Sequence, residues 1–435
     1  MKINPIFLLF GLFLASSALA QTPVELQNLV QQSFQNYPKL KEAQALIQAG
    51  ELRVEVAKTA LKPFASADAS YRYLNPIAQA TLPSADGSFR SVQFIPHNNF
   101  DLHGTVGYTL YDFGKTNLGI RRANEDVQAG RNALELNKFN LAYQVAQLYY
   151  GIAFLEKSVA VQEDVIKTAL AVIQQVGNRV KNGDALELDV LTQKVRLETA
   201  KNRKVDFENQ VMKQKSMLAY LTGVPSEQIK VEAVNFDPNA PAATVESLNG
   251  KASTNSKELL AANDRLKTAQ TDIEIAQKSH LPSIALSGTA GFKNGYVPDV
   301  TQLRFNVSAG VGVSIPLYAG KRYDLQIKAA QANLTASKYN LEALNATLRK
   351  DIELVLADVK SNQLRLQNIE TQLLQADRVL AVSRNRYDNG TITSVELESA
   401  QTGIEEARLA QLNFQYQLFM NQLDLRRLTG EEFWK

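Results

Sequence analysis

The sequence predicts an α+β membrane protein in which one structural unit, made of amphipathic strands and a very long helical hairpin, occurs twice. Three observations predict this class. The two halves of the 435-residue chain resemble each other, a seven-residue apolar repeat runs through both halves, and a period-two alternation precedes each helical segment. The apolar repeat indicates long packed helices, and the alternation indicates strands with one apolar face.

The composition argues against catalysis and against nucleic-acid binding. The chain has 47 Lys and Arg against 44 Asp and Glu and no basic stripe, so it lacks the charge footprint of a nucleic-acid-binding protein. It has no cysteine, which excludes disulfides, thiolate zinc sites and a cysteine nucleophile, and it has only three histidines. It has no phosphate-binding loop and no Ser/His/Asp set near a strand end. We therefore expect no enzyme, no cofactor and no metal site.

Residues 1–20 have the pattern of a secretory signal peptide. Lys2 gives the positive end, an apolar run covers residues 6–14, and Ala18 and Ala20 are small residues at the cleavage position. A buried N-terminal helix is the alternative interpretation. After residue 20 no apolar stretch approaches the ~18 residues of a transmembrane helix, so a membrane-spanning part would have to be a β-barrel.

The chain contains an internal two-fold duplication. Residues 179–184 read Arg-Val-Lys-Asn-Gly-Asp, and residues 386–391, which follow 207 positions later, read Arg-Tyr-Asp-Asn-Gly-Thr. Leu-Thr-Gly at 221–223 recurs at 428–430 with the same offset. Two further pairs, at offsets of 206 and 219, are Gly114 with Gly320 and Pro63 with Pro282. A repeat this long indicates that one structural unit was copied, not that the chain is a solenoid.

The seven-residue apolar repeat predicts long helices packed side by side in a left-handed supercoil. Gln162 is the polar exception at one of its two core positions. The other position is apolar throughout the first copy and keeps its register in the second: Val145, Ile152, Val159, Ile166, Ile173 and Val180, then Ile352, Val359, Leu366, Leu373, Leu380 and Tyr387. A buried helix in an ordinary globular core would need shorter helices with wider apolar faces.

The helices fold back at two Asn-Gly turns. No proline interrupts residues 114–182, a stretch of 69 residues that would measure ~100 Å as one helix. The next strong turn signals are the Asn-Gly pairs within 182–184 and 389–391. We therefore predict two helical hairpins, at 114–222 and 320–429, with these turns as their tips.

Four segments of about ten residues alternate between apolar and polar side chains. They lie at about 64–75, 99–111, 283–293 and 304–316. A tilted strand of ~9–11 residues crosses a bilayer, and several aromatic residues lie near the strand ends, where an aromatic girdle would sit. The edge of a soluble β-sandwich is the alternative, but the chain has no room for a second sheet. The charges on the polar face are mixed, so no sign preference emerges: Asp68, Arg72, Asp101, Lys293 and Arg304.

Four strands cannot close a barrel by themselves. An open sheet edge in lipid leaves backbone groups unpaired, at several kcal/mol each. Other copies of the chain must therefore complete the sheet. Two copies would give ~8 strands with a filled interior, whereas three or four would give ~12 or ~16 strands with a lumen. A ring of chains would also give the heptad stripes their partners, which predicts a hollow conduit.

The mature chain resembles the TolC-type outer membrane efflux proteins of Gram-negative bacteria over essentially its whole length. The resemblance rests on the duplicated helix–strand–strand–helix–helix order, on the prolines that precede the first strands, and on the glycines that open the hairpins. It also rests on the tip pattern, in which an apolar or aromatic residue is followed by Gly and, six positions later, by an acid. This pattern occurs as Val180/Gly183/Asp189 and Tyr387/Gly390/Glu396.

The resemblance implies a homotrimer with a 12-strand barrel in the outer membrane and a 12-helix α-barrel in the periplasm. Such a channel-tunnel exports small molecules or polypeptides passively. An inner-membrane pump, reached through a periplasmic adaptor (a membrane fusion protein), supplies energy and cargo. The hairpin tips close the tunnel at rest and dock the adaptor. Besides these proteins the implied partner is outer membrane lipid, and no nucleic acid is implied.

The resemblance assigns a periplasmic gate to Asp189, Tyr387 and Glu396. The Asp189 carboxylate would accept a hydrogen bond from the Tyr387 phenol, and Glu396 would lie at an acidic ring. The sequence departs from the family at three further gate positions, where it has Leu188, Ile392 and Ser399. Position 392 is Ile where the family pattern has Arg, so fewer hydrogen bonds and ion pairs would hold the gate closed. The alternative is that Asp189 and Glu396 lie in first helical turns, where the helix dipole favours acids.

Two further sets of residues follow from the duplication and the resemblance. The adaptor-docking tips would consist of Val180, Asn182, Gly183, Asp184, Asn389, Gly390 and Thr391. The helix–strand junctions would lie at Pro63, Gly114, Pro282 and Gly320. We expect a positive φ at the two tip glycines.

The chain accordingly divides into five parts. These are a signal peptide at 1–20, a first repeat at 21–223, an equatorial linker at 224–254, a second repeat at 255–430 and a tail at 431–435. Residues 76–98 and 293–303 would be extracellular loops. A periplasmic coiled-coil scaffold without a channel is the alternative function, but it does not explain the amphipathic strands. The exported substrate, the pump, the adaptor and the resting state of the gate stay open.

Overall fold

A computed structural model describes residues 23–236 and 243–435, so the predicted signal peptide lies outside the described residues. The chain forms two compact units. We call residues 39–137 and 255–349 the sheet unit, and residues 23–38, 138–236, 243–254 and 350–435 the hairpin unit.

The sheet unit contains six strands. They are β1 (Phe64–Tyr73), β2 (Gln79–Pro83), β3 (Phe89–Gln93), β4 (Asn98–Tyr111), β5 (Ser283–Lys293) and β6 (Arg304–Ser314). Four of them form an antiparallel sheet in the order β1-β4-β5-β6, and β2 pairs with β3. The first and second copies of the repeat therefore meet where β4 pairs with β5. Strands β1 and β6 are the edges of this sheet.

The β2–β3 hairpin lies in a segment that we expected to be loop alone. Its turn contains Asp86-Gly87, with Gly87 at a φ of 84°, and the Ser84 amide donates to the Ser88 carbonyl at 2.7 Å. Asp-Gly is a strong hairpin signal, but strands of five residues are too short to show a clear alternation. We predicted four strands, and the structure has two more, β2 and β3.

The register places most apolar residues of the four-stranded sheet on one face, whereas Phe64 and Ala285 lie on the other. One transverse row, for example, holds Ala69, Leu102, Phe292 and Phe305. This apolar face is exposed along its length, as shown by Tyr71, Phe100, Leu102, Val106, Phe292, Phe305, Val307, Val311 and Val313. On β4 the polar side chains are the more buried set, which is the reverse of a sheet in a water-soluble protein.

Eight helices are present in the described residues. They are α1 (Val24–Asn36), α2 (Pro38–Thr59), α3 (Lys115–Asn182), α4 (Glu187–Thr222), α5 (Val245–Asn255), α6 (Lys257–Lys278), α7 (Arg322–Asp388) and α8 (Ser394–Leu428). In this part of the chain no helix is both long enough and apolar enough to cross a membrane.

Two predictions about the helices need correction. The single helix expected before the strands is two helices in each repeat, and the breaks at Tyr37 and Ser256 lie 219 residues apart, at the offset of the duplicated prolines. The predicted linker 224–254 contains a 3₁₀ turn and most of α5. This helix was missed because it is short and contains Gly250, although Leu248 and Ala252 are buried on one face.

The heptad positions form the core of the hairpin unit. Val145, Ile152 and Ile352 are fully buried, and the other members of the repeat are buried or half-buried. One cluster joins α7 and α8 through Val359, Leu366, Ile369, Ala407 and Leu418. A second cluster lies next to the hairpin turns. Gln162, the polar exception in the repeat, is also fully buried.

Candidate functional site: the hairpin turns and the buried layer behind them

Both hairpin turns have the same backbone structure. In the first turn Gly183 has a φ of 84°, its amide donates to the Val180 carbonyl at 3.1 Å, and the Asp184 amide donates to the Arg179 carbonyl at 2.8 Å. This pair of bonds is a Schellman motif, which needs the left-handed conformation that glycine adopts without strain. Asn182 and Asp184 are exposed, and Val180 is half-buried.

The second turn repeats the motif 207 residues later. Gly390 has a φ of 71°, its amide donates to the Tyr387 carbonyl at 3.0 Å, and the Thr391 amide donates to the Arg386 carbonyl at 2.9 Å. Two side chains add bonds that the first turn lacks, since Thr391 Oγ1 and Asn389 Nδ2 each donate to a carbonyl of α7 at 2.9 Å. The predicted tip residues therefore form two closely similar turns.

Asp189 and Glu396 cap the helices that follow the turns. Asp189 Oδ2 accepts from the Leu186 amide at 3.0 Å, at the start of α4. Glu396 Oε2 accepts from the Thr393 amide at 2.7 Å, and Thr393 Oγ1 accepts from the Glu396 amide at 3.3 Å, which completes a capping box. The bonds from Thr393 lower the pKa of Glu396. Both acids thus have the helix-start role that we kept as the alternative.

Tyr387 lies in the cluster next to the turns but does not bond to Asp189. Its side chain is only 6% exposed and packs with Val172, Val176 and Leu397. Its hydroxyl has no hydrogen-bond partner among the described residues, because Asp189 is engaged at its own helix start. Burial raises the pKa of the Tyr387 phenol, and the negative charge of Asp189 adds to the rise. The predicted phenol–carboxylate bond is therefore not formed within this chain.

Arg179 is the residue that joins the two hairpins at Tyr387. Its Nη1 donates to the Tyr387 carbonyl at 2.8 Å, and its guanidinium lies over the Tyr387 ring at 5.2 Å from the centroid. A guanidinium over an aromatic face adds a cation–π attraction to the hydrogen bond. Arg179 is the first residue of the duplicated tip segment 179–184, but its spacing from Gly183 does not indicate a contact with the second hairpin.

The three positions that depart from the family pattern carry no polar link. Ile392 packs on the cluster around Tyr387. Leu188 is 63% exposed, and Ser399 is also exposed, with a hydroxyl that makes no hydrogen bond to the described residues. An apolar contact from Ile392 thus stands where the family pattern has an arginine.

A buried polar layer lies behind the turns and joins α3, α4 and α8. Glu405 is 5% exposed, and its Oε1 accepts from Gln162 Nε2 at 3.0 Å and from Arg203 Nη1 at 2.8 Å. Arg196, which is 8% exposed, approaches the other oxygen of Glu405 at 3.5 Å. This layer was not predicted, because the polar exception at Gln162 is the only sign of it in the sequence pattern.

Some polar atoms of this layer have no hydrogen-bond partner in the described residues. Arg196 Nη1 also donates to the Glu398 carbonyl and to Thr402 Oγ1, each at 3.3 Å. Burial lowers the pKa of Arg196, although the charge of Glu405 opposes the change. Three buried amide side chains near these charges keep polar atoms without a partner in the described residues: Gln162, Gln193 and Gln401. Replacing such a layer by well-packed apolar residues is often stabilising, whereas removing one partner alone leaves a buried charge unpaired.

The predicted junctions lie where strands meet helices in the sheet unit. Pro63 directly precedes β1 and Pro282 directly precedes β5. Gly114 and Gly320 have φ values of 80° and 59°, so each permits the sharp change from sheet to helix. Near the first of them, Lys278 Nζ donates to the Phe113 carbonyl at 3.0 Å.

No group of three or more metal-ligating side chains occurs in the described residues. The described polar side chains of the turns and the layer cap helix starts and bridge neighbouring helices.

Three comparisons identify proteins that this chain resembles. The family model for outer membrane efflux proteins matches residues 29–224 and 248–431. The outer membrane protein TolC of Salmonella enteritidis is 24% identical over 439 residues, which cover 99% of this chain and 86% of that protein. The outer membrane efflux protein BepC of Brucella suis is 20% identical over 95% of this chain and 86% of its own length.

Solved structures show the same fold. The outer membrane protein VceC of Vibrio cholerae superposes with a TM-score of 0.75 at 19% identity, over 94% of this chain and 97% of that chain. The outer membrane channel MtrE of Neisseria gonorrhoeae, solved in its open state, gives a TM-score of 0.72 at 17% identity, over 94% of this chain and 89% of that chain. These relatives are outer membrane channel proteins and not enzymes.

Proposed function

Because this chain belongs to the outer membrane efflux protein family and is an outer membrane protein, we propose that three copies form a channel-tunnel for passive export. In this proposal the sheets of three chains close a 12-strand barrel, and their long helices form a 12-helix α-barrel in the periplasm. An inner-membrane pump supplies energy and cargo through a periplasmic adaptor. The cargo consists of small molecules or polypeptides.

The exposed apolar face of the four-stranded sheet is the observation that carries this proposal. Phe305, Val307 and Val311 are each more than 60% exposed, and they belong to a surface that extends over all four strands. An apolar surface of this extent is unfavourable in water but suits the acyl chains of a bilayer. The opposite face is polar, as expected of a surface that lines a water-filled lumen.

The two free edges of the sheet support closure by other copies. Strands β1 and β6 each pair on one side only within the described chain. In lipid the unpaired backbone groups would cost several kcal/mol each, so β6 of one copy must pair with β1 of the next. Three copies satisfy both edges in a closed ring and leave an open lumen.

Exposed apolar side chains on the long helices support the same assembly. The affected positions lie on α4, α7 and α8 or directly before α4: Leu186, Leu188, Leu191, Val195, Leu374, Val379, Val382 and Val395. Each of these helices already buries another apolar stripe within its own hairpin unit. A second apolar stripe on a helix needs a second helical partner, which neighbouring copies would supply.

We assign the periplasmic gate to the region of Asp189, Tyr387 and Glu396, and adaptor docking to the two exposed turns. The Arg179–Tyr387 contact supplies the link between hairpins that the missing arginine at 392 cannot supply. Asp189 and Glu396 fix the starts of α4 and α8, which are the segments that a gate must hold in place.

Ionic current through planar lipid bilayers tests the channel and the gate. Wild-type protein should give discrete channel openings. Arg179→Leu or Tyr387→Ala should increase the open fraction, because the first removes the whole contact between hairpins and the second removes the ring under the guanidinium. Tyr387→Phe keeps the ring over Arg179 and should leave the open fraction unchanged. A protein that gives no openings and elutes as a water-soluble monomer would support the periplasmic scaffold instead.

Crosslinking tests the docking surface. The chain has no cysteine, so Asp184→Cys or Thr391→Cys introduces a unique thiol at a turn. Each should crosslink to the cognate adaptor in cells, whereas Asp86→Cys, in the β2–β3 turn of the proposed extracellular loop, should not. Equal labelling by all three variants, or no adduct from either turn while the trimer is intact, would reject docking at the turns.

A further inference from the structure

The polar face of the four-stranded sheet carries its charges in ordered rows, which the mixed charges in the sequence did not reveal. The register aligns Ser70, Asp101, Lys293 and Arg304 across the four strands. It aligns Asp68, His103, Gly291 and Asn306 in the next row on the same face. We call these the outer row and the inner row, because the outer row lies nearer the loops that join the strands.

The two rows have opposite formal charge. The outer row holds one carboxylate and two cations, which gives a net charge of one positive per chain, and Arg72 adds another positive charge one row nearer the loops. The inner row holds one carboxylate, with the imidazole counted as neutral, which gives one negative charge per chain. These five residues are all the charged residues of the four strands: Asp68, Arg72, Asp101, Lys293 and Arg304.

Contacts among the side chains fix the outer row. Lys293 Nζ lies 3.1 Å from Asp101 Oδ2, and His103 Nδ1 lies 2.8 Å from Asp101 Oδ1. Asp101 is thus held between two partners and neutralises Lys293, which leaves Arg304 as the uncompensated charge of this row. In the inner row the Ser66 hydroxyl donates to Asp68 at 3.1 Å, and no cationic side chain pairs with Asp68 in the described residues.

The face beyond the inner row is uncharged. The next row consists of Ser66, Thr105, Thr289 and Ser308, and the two hydroxyls of Thr289 and Ser308 are 2.7 Å apart. In the row after that, the ring of Phe64 lies over Gly107, where a side chain on the glycine would collide with it. All strand charge is therefore concentrated in the half of the sheet that lies nearest the loops.

We infer that these rows form two rings of opposite charge in the lumen of the assembled channel, and that the rings set its ion selectivity and make its current depend on the sign of the voltage. The inference rests on the proposed trimeric channel. Three copies would give an outer ring of about three positive charges and an inner ring of about three negative charges, separated by about 7 Å along the strands. Charged rings that line a pore favour ions of opposite charge, and two unlike rings in series make the two directions of current unequal.

Conductance of the reconstituted trimer, inserted from one side of a planar bilayer, tests the inference. In about 0.1 M KCl the Debye length is ~10 Å and the rings act across the lumen, whereas in about 1 M KCl it is ~3 Å and they are screened. Wild-type current should be unequal at the two polarities in the dilute salt and equal in the concentrated salt. The measured quantities are this current ratio and the cation-to-anion permeability ratio from the reversal potential.

Four variants separate the contributions of the rows. Lys293→Gln removes positive charge from the outer ring and should shift the permeability ratio toward cations by about two-fold, the size expected for three like charges screened over one Debye length. Asp68→Asn and Asp101→Asn remove negative charge and should shift the ratio toward anions by a similar factor. Ser70→Asn changes a side chain in the outer row without changing charge, and should leave both quantities at wild-type values.

The outcomes distinguish this inference from the proposed function. Opposite shifts for Lys293→Gln and Asp68→Asn, with no change for Ser70→Asn, support the two rings. A conducting trimer with equal currents at both polarities, and with the same permeability ratio in all variants, would overturn the rings and leave the channel standing. Wild-type protein that gives no current at all would overturn the channel and the rings together.

Discussion

The sheet unit and the hairpin unit place their apolar and charged residues in opposite ways. In the sheet unit the apolar side chains of the four strands are exposed and the polar side chains of β4 are the more buried set. In the hairpin unit the heptad residues are buried, and a charged pair, Arg196 and Glu405, is buried with them. The difference teaches that each unit is adapted to a different surrounding, since an exposed apolar face is stable in lipid and a buried stripe is stable in water.

The largest effect should come from breaking the buried layer of the hairpin unit. Glu405→Leu leaves Arg196 without its counter-charge in a site from which water is excluded, and should lower the free energy of unfolding by about 3–5 kcal/mol. The double variant Arg196→Leu/Glu405→Leu removes both charges and should recover most of this loss. Denaturant unfolding of the detergent-solubilised protein measures both.

A double variant that is no more stable than Glu405→Leu alone would show that the pair is not the cause. The matched control is Glu208→Gln on α4. Its carboxylate is 52% exposed and lies 3.6 Å from Lys204, so its loss should have little effect on stability.

A charge on the apolar face of the sheet should have the next largest effect. Val307 is 66% exposed, so Val307→Lys would be tolerated if this face met water. If the face meets lipid, the substitution should cost about 2–4 kcal/mol near the bilayer midplane. Folding into lipid vesicles from denaturant measures the difference, with Ser308→Lys on the polar face as the control.

A loss for Val307→Lys that is no greater than the loss for Ser308→Lys would mean that both faces of the sheet meet the same solvent. The difference between the sheet unit and the hairpin unit could then not be explained by contact of the sheet with lipid.

Removing the cap of α8 should have a smaller effect. Thr393 Oγ1 accepts from the Glu396 amide, and Thr393→Ala should cost about 1 kcal/mol, as is usual for a helix N-cap. Leu186→Ala at the equivalent position of α4 should cost less, because a leucine side chain makes no capping bond there. Hydrogen exchange at the first turns of α4 and α8 would show faster exchange in Thr393→Ala alone. Equal effects of the two substitutions would contradict the difference between the turns.

The smallest effect concerns pH. The bonds from Thr393 hold the pKa of Glu396 below its ordinary value of 4.5. The stabilisation is therefore present above pH 4.5 and is lost as the pH falls through the lowered pKa. As the pH falls below 4.5, exchange of the first α8 amides in wild-type protein should become faster than the intrinsic pH dependence of exchange predicts. Glu396→Gln should not show this additional increase. A wild-type profile parallel to that of Glu396→Gln would contradict the assignment.

The regular parts of the fold could be predicted from the sequence because each obeys a simple period. Alternation placed the four strands of the sheet, and the heptad placed the residues that α3 and α7 bury. The β2–β3 hairpin and α5 were missed because five and eleven residues carry too little periodic signal.

The candidate site was less predictable, because several of its side chains have more than one possible hydrogen-bond partner nearby. Asp189 could reach the Tyr387 phenol or its own helix start, and the structure has the second. Arg179 and Arg386 occupy equivalent positions, but it is Arg179 that bonds across to the other hairpin. The charges of the strands became interpretable only with the register, since a shift by one residue would move each to the opposite face.

The central claim is that one chain supplies one third of a closed membrane barrel. Native mass spectrometry of the protein extracted from outer membranes in detergent tests this claim most directly. The account predicts a particle of three chains that dissociates only under strong activation. A single chain, folded and monodisperse both in detergent and in buffer without it, would contradict the account.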